Sequence, residues 1–427
     1  MEFLPVAVMF GLFVLGVPVA LAIAAAALTF FIFADGVPIE IFIQRLVSAT
    51  ESFPLLAVPF FIFAGTIMNY AGITRRLLNF ADALVGHMIG GLAQVNVLLA
   101  TLMGGLSASA NADAAMQSQM LGKEMVKRGY APGFAAAVTA CSAVITPIIP
   151  PGIGLIVYGF LADASVGRLF IGGIVPGLML CAGLMAAIYF VAKRCGYMPL
   201  RDRMVSGRQL WTAFVEALGA LSIAAFILIG IRYGVFTPTE AGAMTVIYAA
   251  LVGFFVHREL KLEHFPRIIL ETVIATSAVM LIICAASAFG FYMTWERIPA
   301  RAAQFLISLT DDPRLLLLLI NILLIGIGML IEGTAALILL TPIFIPVITK
   351  LGIDPIHFGL VLVVNLTIGG VTPPVGTLMF VSCSILRVPI QRFTREALPL
   401  LASMFVVLGL ITFFPELVLW LPNRLMD

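Results

Sequence analysis

The chain has 427 residues, 62% of them hydrophobic and only 11% charged, with a formal net charge of +2. Soluble globular chains run about 45–50% apolar and about 25% charged, so this composition, with a mean hydropathy of +1.13, points to a polytopic helical membrane protein. The apolar runs are continuous rather than alternating, which excludes an outer-membrane barrel. The net charge says little about partners, but no basic run long enough for nucleic acid appears, so no nucleic-acid partner is expected.

In chain order, "MEFLPVAV" carries Glu2 where a signal peptide needs a basic stretch, so it reads as a retained span. Residues 3–17 and 18–34 form two short spans broken at Pro18, and residues 37–51 an amphipathic interfacial helix. A span over 54–72 precedes a Gly-broken apolar region at 87–122, which contains "GGLSASANADAAM". Residues 131–162 form a span interrupted by "TPIIPPG", and 169–192 a clean span. The polar link "KRCGYMPLRDRMVSGR" at 193–208 is the boundary between two halves, 1–200 and 201–427. The second half runs through spans at 219–235 and 238–256, an amphipathic segment at 262–273 and a span at 274–294. A Gly-broken region at 301–349, a span at 356–386 interrupted by "TPPVG", and a last span at 398–420 complete it.

The halves share a register. "GLSASANADAA" from Gly105 aligns with "GMLIEGTAALI" from Gly328, and "PPGIGLIVYG" from Pro150 with "PPVGTLMFVS" from Pro373, both at an offset of 223. Lys and Arg placement then sets orientation. With the N-terminus outside and both Gly-broken regions re-entrant, sixteen of the 24 Lys and Arg residues lie on the cytoplasmic side. The expected fold is therefore all-α and polytopic, with two inverted-topology repeats, re-entrant hairpins and interrupted helices, and both termini outside.

Non-helical backbone at membrane depth survives only when it is buried in protein or lines a polar cavity. Proline removes a donor and frees carbonyls, and carbonyls with hydroxyls suit a hard cation such as Na⁺. Exposed helix N-termini favour an anion. Ser107, Ser109, Asn111 and Asp113 thus read as the polar lining of a hairpin tip, with tight helix packing as the alternative for the serines. Asp113 and Glu332 are acids at membrane depth, which are functional by default; a buried ion pair is the alternative.

Other signals are weaker. Arg297 in "TWERIPAR" stands at an outer mouth where it could attract a carboxylate, or anchors the interface beside Trp295. Glu240 reads as a helix cap, and Glu51 and Asp82 as interfacial groups. The five cysteines are scattered without a CxxC, which gives neither a disulfide framework nor a metal site. No P-loop motif occurs, which argues against an ATP-driven pump.

"GGLSASANADAAM", "TPIIPPGIG", "GMLIEGTAALILLTPIFIPV" and "GGVTPPVGTLMF", in this order, resemble the large membrane subunit of tripartite ATP-independent periplasmic (TRAP) transporters. The resemblance covers essentially the whole chain. It implies an elevator mechanism in a bacterial inner membrane and Na⁺-coupled uptake of an organic anion. The anion would be handed over by a soluble periplasmic binding protein. It also implies a separate small four-helix membrane subunit. Carried over by position, one Na⁺ site would use Ser107 and Asn111 with backbone around Thr146, Pro147 and Pro150. The other would use Gly328, Glu332, Gly369 and Thr372. The solute would lie near Ser109, Asp113, Pro151, Gly152, Pro374 and Thr377, with Arg297 at the mouth. C4-dicarboxylates, sialic acids, keto acids and sulfonates all stay open as solutes. So do two Na⁺ ions or more.

Three rival readings share these residues. A self-sufficient Na⁺/dicarboxylate symporter has similar hairpins. A structural membrane subunit would carry no solute path, against which the two acids argue. A membrane enzyme would need a catalytic cluster, and no HExxH or GxSxG motif is present.

Overall fold

The computed structural model describes residues 3–34, 36–104, 109–310 and 312–426. Gly105 and Ser107 lie outside the described residues. The first set of helices is α1 (Leu4–Val14), α2 (Val19–Phe33), α3 (Glu40–Ser48), α4 (Ala57–Tyr70), α5 (Ile73–Val85), α6 (Gly91–Leu102), α7 (Ala110–Gln117), α8 (Lys123–Lys127), α9 (Pro132–Ala143), α10 (Ile153–Leu161) and α11 (Val166–Cys195). The second is α12 (Gly207–Arg232), α13 (Pro238–Leu251), α14 (Phe265–Trp295), α15 (Ile298–Leu309), α16 (Pro313–Gly328), α17 (Gly333–Lys350), α18 (Pro355–Gly369), α19 (Thr377–Leu386), α20 (Ile390–Phe413) and α21 (Pro415–Met426). Among the described residues, seven helical segments are long and apolar enough to span a bilayer, and several shorter apolar helices pack among them.

The 223-residue register runs through the local chemistry. Ser109 caps α7 by accepting the N–H of Ala112, and Glu332 caps α17 by accepting that of Ala335. Pro132 and Pro355 each open a helix at the position where a missing N–H costs nothing. The Pro150–Pro151 and Pro373–Pro374 peptide bonds are both cis. In each half one helix, α9 or α18, packs against both arms of its hairpin, α6–α7 or α16–α17.

Two packing groups result. In one, α4 crosses α13, α14 lies along α2, α3 and α4, and α12 packs on α13. Gly242 permits the α4–α13 crossing, since a Cβ there would stand 3.0 Å from that of Phe60. Phe30, Phe31, Phe289 and Tyr292 fill the seam between α2 and α14. In the other group the halves interlock: α10 packs on α17, α19 packs on α7 and α9, and α20 packs on α9 and α11. Buried polar side chains tie its helices together. Ser118 Oγ lies 3.0 Å from Thr139 Oγ1 and 3.1 Å from Ser382 Oγ, while Asn365 Nδ2 donates to Asn321 Oδ1 at 2.8 Å. Such interhelical bonds are worth about 0.6–2 kcal/mol each in a membrane. Helices α5 and α15 connect the groups: α5 packs on α12 and α6, α15 on α14 and α17.

Three boundaries differ from the sequence expectation. The segments at 262–273 and 274–294 are one continuous helix, α14, because no Pro or Gly follows Pro266 until Gly290. The last span ends at Phe413, and α21 starts anew at Pro415, whose ring pushes Phe414 out of helical geometry (φ −123°, ψ 79°). Hydropathy gives residues 73–85 no span, yet they form helix α5. Its apolar positions Ile73, Leu77, Phe80 and Ala81 are buried, while Arg75 and Asn79 face out. Glu240 does cap a helix: its Oε2 accepts the Thr237 N–H at 2.8 Å.

Candidate functional site

Both interrupted helices and both hairpins break where Gly and Pro punctuate the apolar runs, and the breaks meet. A cavity of about 370 Å³ lies among them. Four helices start at its wall: α7 with Ser109, Ala110 and Asn111; α10 with Ile153 and Gly154; α17 with Glu332, Gly333 and Thr334; α19 with Thr377 and Leu378. Pro147 and Gly370 contribute the unwound segments, and Val363, Leu366 and Thr367 the end of α18. The far wall belongs to the other packing group: Ile62 of α4 and Ala275, Ala278, Val279 and Ile282 of α14. The cavity therefore sits at the boundary between the two groups.

Each helix start leaves backbone N–H groups without an intrahelical partner and carries about half a positive charge. Four of them border one space, an arrangement that can favour an anion without any basic side chain, although at α19 the Leu378 and Met379 N–H groups already donate to the Gly370 carbonyl. Glu332 holds its own helix start in place. Its Oε2 accepts Ala335 N–H at 3.0 Å and its Oε1 accepts Thr334 Oγ1 at 2.9 Å. An ionised carboxylate has about four acceptor positions, so Glu332 keeps capacity for a cation.

Close backbone approach shapes the second half of the site. A Cβ on Gly369 would stand 2.7 Å from the Gly328 Cα, so only glycine lets hairpin and broken helix touch. Gly376 N–H donates to Met329 O at 3.0 Å and pins the break to the hairpin tip. In the first half, a Cβ on Gly152 would collide with the carbonyl of Pro147.

The expected residues fall into three groups. Ser109, Asn111, Pro147, Glu332 and Thr377 line the cavity. Thr146, Pro150, Pro151, Gly152, Gly328, Gly369 and Thr372 lie in the same broken segments without lining it, and Thr372 Oγ1 donates to the Ile368 carbonyl at 2.8 Å. Asp113 is buried one turn into α7. Pro374 is exposed, and Ser107 lies outside the described residues. Arg297 is elsewhere, beside a separate cavity of about 340 Å³ that it shares with Lys350, Pro342 and Pro346. Oxygen atoms fit for an alkali cation occur in the first half. Thr146 Oγ1 and Asn111 Oδ1 are buried and make no hydrogen bond to the described residues. Sequence reasoning missed Thr334, Thr367 and the α14 wall. Thr334 carried a signal, two residues after the helix-capping Glu332. The α14 wall carried none, because an apolar face toward a cavity reads like one toward lipid.

The family model of the tripartite ATP-independent periplasmic transporter, DctM component, matches residues 6–417. The chain is 40% identical to the sialic acid TRAP transporter large permease protein SiaM of Vibrio cholerae, over 97% of this chain and 96% of that protein. It is also 40% identical to the isethionate TRAP transporter permease protein DctMQ of Oleidesulfovibrio alaskensis, over 97% of this chain and 66% of that one. In fold it resembles the YdaH transporter of Alcanivorax borkumensis, with a TM-score of 0.64 at 14% identity, covering 93% of this chain and 91% of that one. This chain therefore belongs to the DctM-component family of tripartite ATP-independent periplasmic transporters, and is a multi-pass permease subunit, not an enzyme.

Proposed function

We propose that this chain carries the solute path of a Na⁺-coupled importer for a small organic anion, received from a soluble periplasmic binding protein and moved by an elevator motion. The observation that carries the proposal is the convergence of four helix starts on one cavity at the boundary of the two packing groups. Anionic head groups bind such helix starts, and unwound carbonyls beside them bind Na⁺, in discontinuous-helix transporters. One Na⁺ would be held by Ser107, Asn111 and the carbonyls around Thr146, Pro147 and Pro150. The second would be held by Glu332 with Gly328, Gly369 and Thr372. Ser109 and Thr377 would face the solute.

Helices α6–α11 and α16–α21 would move as the transport group against a scaffold of α1–α4 and α12–α14, with α5 and α15 as the connecting arms. Na⁺ offsets the negative charge of Glu332 and orders the hairpin tips, so that the anion completes the site last. The small four-helix subunit would cover exposed apolar positions of the scaffold such as Trp211, Val215 and Ile274. The chain would reside in a bacterial inner membrane with both termini periplasmic.

Uptake into proteoliposomes that hold this chain and its small subunit tests the proposal, with and without the binding protein and an inward Na⁺ gradient. Uptake requiring both is expected. Uptake without the binding protein would replace this reading with a self-sufficient symporter. Uptake indifferent to the gradient would remove the coupling.

A further inference from the structure

The cavity is polar on one side only. Ser109, Asn111, Thr334 and Thr377 stand at helix starts and Thr367 at the end of α18, all in one packing group, whereas the lining residues of the other group, Ile62, Ala275, Ala278, Val279 and Ile282, offer no side-chain donor or acceptor. Its charge is one-sided as well. Among the described lining residues Glu332 is the single ionisable group, and no Lys, Arg or His joins it. With about 370 Å³, the space is at the lower end of the roughly 300–1,000 Å³ range of ligand cavities.

These features restrict what can fill it. One anionic head group can use the helix-start N–H groups that remain after Ala112, Ala335, Leu378 and Met379 have donated to Ser109, Glu332 and the Gly370 carbonyl. A second carboxylate at the far end of the solute would be pressed against the carbons of α14 with no donor among its lining residues, and an unpaired buried charge is heavily penalised. Sugar hydroxyls directed at that wall would likewise lose their hydrogen bonds to water without replacement. A hydrocarbon body would instead be removed from water against matching apolar surface.

We infer that the solute is a small organic monoanion with an apolar body, its carboxylate or sulfonate on the helix starts and its hydrocarbon on Ile62 and α14. This inference rests on the cavity being the solute site. It gives the scaffold wall a role in selection: dianions and polyhydroxylated acids are turned away by α14, not by the hairpins. An apolar body can also slide past an apolar wall without breaking polar contacts.

The test is thermal unfolding of the full-length chain, purified in detergent, in NaCl and in choline chloride. The probes are 4-methyl-2-oxopentanoate, phenylacetate, succinate and N-acetylneuraminate. A monoanion with an apolar body is expected to raise Tm by about 3–5 °C in NaCl at a hundredfold excess over its Kd, with succinate and N-acetylneuraminate giving no shift. Ala278→Arg sets a guanidinium on the apolar wall and is expected to reverse the order, with a shift appearing for succinate. Val279→Thr, nearly the same shape, is expected to weaken the apolar probes severalfold and keeps the test usable if the arginine variant does not fold. A larger shift from succinate or N-acetylneuraminate on the unmodified chain would overturn the solute class while leaving the anion site standing. No shift from any acid in NaCl would overturn both.

Discussion

The two halves of the cavity follow one backbone plan and use different chemistry. At the start of α7 the cap is a neutral hydroxyl, Ser109; 223 residues later, at the start of α17, it is the carboxylate of Glu332. Behind the first cap stands Thr146, whose buried Oγ1 makes no hydrogen bond to the described residues. At the equivalent position behind the second stands Gly369, packed against Gly328 through bare backbone. The repeat fixes where helices start and leaves each half free to choose side-chain or backbone oxygen. Among the described lining residues the one carboxylate belongs to the second half, while Asp113 of the first lies buried a turn into α7, so cation dependence is expected to concentrate at Glu332.

Four changes, in two pairs, test that asymmetry. Gly369→Ala places a methyl 2.7 Å from the Gly328 Cα, and overpacking of this kind costs about 1–3 kcal/mol. Na⁺-driven uptake should fall about 5–150-fold, whereas Thr146→Ala, which only removes a hydroxyl, should cost a few-fold at most. Equal losses would mean that the backbone contact carries no special role. Glu332→Gln comes next. The amide still accepts the Ala335 N–H, but the charge is gone; a hydrogen bond or contact to a charged group is worth about 1.5–3 kcal/mol. The Na⁺ concentration for half-maximal uptake should rise about 10–100-fold. Ser109→Ala should instead lose a cap worth about 1 kcal/mol, seen as an approximately fivefold weaker solute affinity at unchanged Na⁺ dependence. A matching Na⁺ shift in both variants would erase the distinction between the halves.

The smallest effect lies outside the cavity and checks that the asymmetry is confined to it. His257 Nδ1 lies 3.0 Å from the Ala71 carbonyl, at the turn where Glu259 pairs with Arg75 at 2.7 Å and Arg76 at 2.9 Å. Burial, and then the Arg76 charge, hold its pKa below the ordinary 6.5. The unfolded chain therefore binds this proton more readily than the folded one. Its contribution to stability is full above about pH 6.5 and is lost as pH falls through the lowered value. A Tm that declines on acidification and is flattened by His257→Gln, with Na⁺ dependence unchanged, is the expected result. A shifted Na⁺ dependence would couple this turn to the cavity.

Much of this was legible in the sequence because it depends on residues with few alternatives. Pro150, Pro151, Pro373 and Pro374 cannot sit inside a regular helix, and Glu332 at membrane depth needs a reason. Those residues marked the breaks and their common register. What stayed hidden depends on direction. Ala275 and Ala278 face a cavity and Ile274 faces outward on the same helix, and hydropathy assigns all three alike. Arg297 shows the converse. Its charge and its position near the second hairpin in the sequence suggested a solute contact, yet it sits at the left-handed start of α15 (φ 56°), beside the other cavity. The continuity of α14 was masked by Arg267 and Glu271, which pair with each other on an exposed face at 3.2 Å and leave the helix intact.

That continuity has a further consequence. A helix of 31 residues is about 46 Å long, against a hydrocarbon thickness of about 30 Å. The surplus must appear as tilt or as ends projecting into the headgroups. The cavity-facing stretch from Ala275 to Ile282 straddles the middle of this rod. Helix α14 is thus a built-in ruler: whatever its tilt, its centre marks the depth of the cavity, and a paramagnetic or fluorescent label carried there would report that depth directly.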